Sequence, residues 1–71
     1  MSVLLQSIRT SKYVDHRAGW TEQSEDAQVF RGGPEALIYC YQHHLNNMQI
    51  LGKFEDPKKN FTIPLTKNSV E

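Results

Sequence analysis

Cys40 and the histidines His16, His43 and His44 are the side chains in this sequence suited to binding a metal or activating a nucleophile. Spacing limits what they can do. Adjacent side chains on a helix diverge by about 100°, so His43 and His44 do not converge on one zinc ion, even with His16 as a third ligand and Cys40 or an acid as a fourth. Cys40 and His44 stand at i and i+4 and share a helical face. A catalytic pair of that kind needs a thiol of lowered pKa, an orienting third group and a cleft for substrate. The shared face is the apolar one, where a buried structural thiol is the expectation. A minimal enzyme using Cys40 and His44 is therefore kept as an alternative, while neither a metal nor a cofactor is expected. Asp15 with His16, and Glu25 with Asp26, are neighbours whose side chains diverge, as in turns and solvated faces. Gly32-Gly33-Pro34 before a helix has the outline of an anion cradle, but Pro34 removes a donor and no Lys-Ser or Lys-Thr follows. Asn60-Phe61-Thr62 fits the glycosylation acceptor pattern without a secretory signal to give it meaning.

A second chemistry lies in the first third of the chain. Arg9, Lys12, Tyr13 and Arg17, with Trp20 beside them, are the cations and aromatics that stack and neutralise single-stranded nucleic acid. Lys53, Lys58 and Lys59 would strengthen such a patch if they gathered on the same side. The balance of charge opposes it: 8 Lys and Arg against 8 Asp and Glu leave a formal net charge of zero, so no overall field draws in phosphates or an anionic membrane. Weak single-stranded nucleic-acid binding is the other alternative.

The elements that must position these residues begin with one long periodic segment, Pro34 to about Asn47. On a helical wheel Cys40, His44, Leu37, Met48, Tyr41, Leu45 and Ile38 form a continuous, mainly apolar arc of about 160°, and Gln42, Glu35, Asn46, Tyr39 and His43 take the other side. Gly32-Gly33, Pro34 and the first-turn acid Glu35 mark the start, and Asn46-Asn47 the stop. From Gln49 to Glu55 apolar Ile50, Gly52 and Phe54 alternate with Leu51, Lys53 and Glu55, the pattern of a half-buried strand. Asp56 to Asn60 is turn chemistry, and Phe61, Ile63 and Leu65 share a face of a last extended run that Pro64 confines to an edge. Val3 to Ile8 reads as a strand and Lys12 to His16 as a second, followed by a turn at Arg17 to Gly19. Thr21 or Ser24 caps a short helical turn before Ala27 and Phe30, which point inward. The expected fold is α+β, a small antiparallel sheet of three to four strands with one amphipathic helix on one face. Residues 1–65 form a single domain, and Thr66 to Glu71, with little apolar content, are expected to fray.

A chain of 71 residues holds one small core and no second domain. Apolar burial of about 110 kcal/mol stands against about 105 kcal/mol for ordering the chain, a balance near zero that favours self-association. The lone cysteine forms no internal disulfide, and Val3-Leu4-Leu5 is too short for a signal-peptide core or a bilayer span. The function expected is a small non-enzymatic interaction or assembly module, homodimeric or, as the alternative, bound to an unidentified protein partner, and cytoplasmic, without membrane attachment. Its contacts are expected on an open sheet face or edge through Phe61 and Ile63, and on the outer side of the helix through Tyr39.

Overall fold

Val3, Leu4 and Leu5 are buried in succession, so the strand that carries them must be covered on both faces. In the computed structural model, which describes residues 1–65, that strand is β1 (Ser2–Ser7), at the centre of a five-stranded antiparallel sheet. Its neighbours are β2 (Tyr13–Val14) and β4 (Met48–Lys53); β3 (Trp20–Thr21) flanks β2, and β5 (Phe61–Leu65) flanks β4. The helix α1 (Gly33–Gln42) lies between β3 and β4 in the chain. The fold is α+β as expected, with five strands rather than three or four. The additional strand is β3, whose two residues are too few for a periodicity. The expectation placed on residues 66–71 lies outside the described residues.

The register assigns the faces. Val3 opposes Gly52, Leu5 opposes Ile50 and Ser7 opposes Met48, and across the next ladder Gly52, Ile50 and Met48 oppose Phe61, Ile63 and Leu65. These residues share the face that meets α1. The core there joins Val3, Leu5, Val14, Met48 and Ile50 to Phe30, Ala36 and Cys40. The reverse face buries Leu4 and Leu51 beneath Ala27, with Tyr13 partly buried beside them. It is held by the 3-10 turn Ser24–Asp26, whose Ser24 Oγ accepts from Lys53 Nζ at 2.7 Å, and by Gln49 Nε2 donating to Gln6 Oε1 at 2.8 Å. Ala27 and Phe30 point inward as expected. They do so from an extended segment, not from a helix, and therefore reach opposite faces.

The same register decides what the open edge offers. The Phe30 amide donates to the Val3 carbonyl and the Ser7 amide to the Lys12 carbonyl, both at 2.8 Å, so the odd-numbered backbone groups of β1 point away from β4. Alternation across an antiparallel ladder then directs the backbone groups of Thr62 and Pro64 to the outer edge of β5. Pro64 has no N–H to give. That edge is poorly equipped to accept another strand.

Candidate functional site

Helix α1 starts where the sequence marks it. Gly32 precedes it in extended backbone, Pro34 lies in the first turn, and the Glu35 carboxylate reaches back past the N-cap to accept from the Arg31 amide, tying the helix to the segment that enters it. It ends after Gln42, well before Asn46-Asn47. The ending is a Schellman closure: His44 N–H donates to the Tyr41 carbonyl at 3.3 Å and Leu45 N–H to the Cys40 carbonyl at 3.0 Å. His44 stands at φ 54° in the position that glycine usually fills.

The phase of the helix departs from the hydrophobic wheel. Ala36 and Cys40 are buried, Gly33 and Tyr39 half-buried, while Leu37 and Ile38 are more than half exposed and Tyr41 is 84% exposed. The inner face is rotated by roughly a third of a turn from the expected arc. The small residues Gly33, Ala36 and Cys40 explain this, since they let the helix backbone approach the sheet closely; a Cβ on Gly33 would meet Ile50 Cδ1 at 3.7 Å. The larger Leu37 and Tyr41 are thereby left on a flank beside β5.

Between that flank and the sheet runs an apolar groove of about 460 Å³ lined by Leu37, Cys40, Tyr41, His44, Leu45, Met48 and Leu65. Met48 and Cys40 are buried at its floor, and His44 brings the one imidazole. From Leu65 the apolar surface continues along the helix-facing side of β5 to Ile63, 50% exposed, and Phe61, 42% exposed. The Phe61 ring lies over Gly52, where an added Cβ would come within 2.5 Å of it, and is 6.2 Å from the Phe54 ring. The helix thus covers β1 and β4 and leaves β5 open.

Phe61 and Ile63 are exposed on the face where an interface was expected. Tyr39 is not: its ring meets Phe30 edge-on at a centroid distance of 5.2 Å and stacks on His43 at 4.1 Å. The rotation of α1 that buries Ala36 and Cys40 turns Tyr39 inward and Tyr41 outward. Burial first, then the Asp15 carboxylate, holds the Tyr39 phenol above its ordinary pKa. Tyr41 and Leu37, placed in the core by their hydrophobicity, are the surface residues that sequence reasoning missed. The spacing of Gly33, Ala36 and Cys40 was the signal that could have found them.

Cys40 and His44 do line one groove, yet burial pushes the Cys40 thiol above its ordinary pKa, opposite to what a nucleophile needs. Among the described residues no three His, Cys, Asp or Glu side chains gather to hold a metal ion, and no helix is long and apolar enough to cross a membrane. Arg9 and Lys12 are exposed in the β1–β2 turn, and Arg17 in the β2–β3 turn at the other end of β2. Tyr13 is half-buried on the reverse face, while Trp20 opposes Val14 and so shares the helix face. The two aromatics therefore stand on opposite faces and form no common stacking platform. Asp15, Glu25 and Asp26 line the same hollow as Arg17 and Trp20, bringing negative charge to where a phosphate backbone would lie.

No family model matches the chain, and neither a curated protein nor a solved structure does.

Proposed function

We propose that this protein is a small non-enzymatic assembly module that pairs with a second copy of itself through the face formed by α1 and β5. The observation that carries this is the continuous apolar strip from Leu37 and Tyr41, across the groove, to Ile63 and Phe61. These four side chains expose on the order of 500 Å², enough for the apolar centre of an interface that buries about 800 Å² per partner. The four are uncharged, and with a net charge of zero two copies meet no mutual repulsion. Face pairing is favoured over pairing through the β5 edge because Pro64 blunts that edge, and β3 at the other edge has only two residues to offer. A cytoplasmic setting is part of the proposal, in keeping with the free, buried Cys40.

Light scattering coupled to size exclusion, over a concentration series at two salt concentrations, tests it. A dimer insensitive to salt is expected, and Ile63→Lys should shift it to monomer with an unchanged far-UV circular dichroism spectrum. A wild-type chain that stays monomeric at high micromolar concentration refutes the proposal. Absorbance at 260 nm in the same peak reports any nucleic acid carried by the Arg9 to Trp20 region.

A further inference from the structure

Resting on the homodimer proposed above, we propose that Tyr41 of each copy seats in the other copy's groove, its ring against the apolar walls and its hydroxyl at the partner's His44. Chemistry selects the occupant. The walls are Leu37, Leu45 and Leu65 over a floor of Met48 and Cys40, and among the described lining residues the polar tips are the exposed imidazole of His44 and the hydroxyl of Tyr41 itself. What complements such a groove is an aromatic ring with a single hydrogen-bonding tip, because a purely apolar occupant that covered His44 would strip water from its imidazole and return no hydrogen bond.

Tyr41 has that form and is presented for it. It is 84% exposed, the most exposed of the large hydrophobic side chains, and it stands on the rim of the groove. A projecting side chain beside a groove on one surface is what a two-fold interface requires, since each patch must complement itself. Leu37 and Tyr41 are at i and i+4 on α1, so two helices meeting along this stripe bring each tyrosine to the other's groove. A small apolar ligand would fit the volume but would leave Ile63 and Phe61 in water. A second copy covers them together with the groove.

The test uses the full chain in two measurements. In a mixture of 13C-labelled and unlabelled protein, isotope-filtered spectra are expected to show intermolecular contacts from the Tyr41 ring to the methyl groups of Leu45, Met48 and Leu65. By sedimentation equilibrium, Tyr41→Ala is expected to raise the dimer Kd by about tenfold or more, the effect of truncating an aromatic anchor. Tyr41→Phe, which loses only the hydroxyl, is expected to raise it less. Because Tyr41 is exposed in the single chain, both variants keep the fold. A dimer whose Kd changes by less than about twofold in Tyr41→Ala overturns the seating of Tyr41 and leaves the homodimer standing. A monomeric wild type overturns both. Groove methyl groups that contact only residues 66–71 of their own chain also overturn the seating, because the groove is then filled from within.

Discussion

At the scale of single residues, the turns are made by side chains that seldom make them. Ser11, Ala18, His44 and Asn47 hold φ between 54° and 66°, while no glycine has positive φ. Asparagine tolerates this region; alanine has no side-chain group to compensate for the clash between Cβ and carbonyl. Ala18→Gly is therefore expected to stabilise the fold by about 0.5–1 kcal/mol, after the added freedom of glycine in the unfolded chain is counted. Urea midpoints at fixed protein concentration measure it. The same β2–β3 turn contains Asp15, whose Oδ1 accepts from the amides of Arg17 and Gly19, both at 2.8 Å. Those two hydrogen bonds, ahead of the nearby Arg17 charge, hold its pKa below the ordinary 3.8. A depressed carboxylate pKa favours the native state in full above the unfolded value, and that contribution is lost as pH falls through the folded value. Asp15 is thus expected to titrate below 3.8 when its carboxyl carbon is followed by NMR, and Asp15→Asn to flatten the acid limb of stability. The turn at Arg17 to Gly19 was legible in the sequence, whereas the helix stop read at Asn46-Asn47 falls several residues past the true end at Gln42. Which residue carries the strain was not legible, because it depends on how each hairpin closes.

Among the elements, the helix is the informative case. Its existence and start follow from Gly32-Gly33-Pro34 and Glu35, and the alternation around Ile50 places β4. Its phase does not follow from hydrophobicity. A wheel weighted by apolar character turns Leu37, Ile38 and Tyr41 inward, whereas close approach to β1 and β4 selects Gly33, Ala36 and Cys40. Two substitutions separate these views. Ala36→Leu forces bulk into the contact between helix and sheet and is expected to destabilise by about 1–3 kcal/mol. Ile38→Gln, on the exposed side, is expected to change stability by no more than about 0.5 kcal/mol. Chemical denaturation at fixed concentration compares them, and the reverse order would mean that α1 packs in the phase of the wheel.

At the scale of the whole molecule, one helix of ten residues covers β1 and β4 of a five-stranded sheet and leaves the outer strand β5 open. In the dimer proposed above, pairing of copies through that opening would tie folding to concentration, because association withdraws native chains from the unfolding equilibrium. The thermal midpoint is therefore expected to rise with protein concentration in the wild type and to be flat in Ile63→Lys. Differential scanning fluorimetry over a hundredfold range of dilution, on the order that mass action requires, reads this directly. A flat wild-type midpoint would count against assembly through α1 and β5. The near-zero balance of burial against chain entropy leads only to the expectation of self-association. It could not say which face, since Phe61 and Ile63 share a side with Ile50, which the helix covers.

The sequence by itself determined the α+β class, the order of the main elements, the entry to α1, the existence of β4 though not its burial on both faces, and the common face of Phe61, Ile63 and Leu65. Each depends on neighbours within a few residues, through backbone preferences and period-two or helical spacing. Only the tertiary structure decided the rotation of α1, the inward turn of Tyr39 with the outward turn of Tyr41, the reverse face built by Ala27, and the groove between α1 and β5. These are outcomes of packing between distant segments, where the fit of small residues against a sheet outweighs the hydrophobicity of any one side chain.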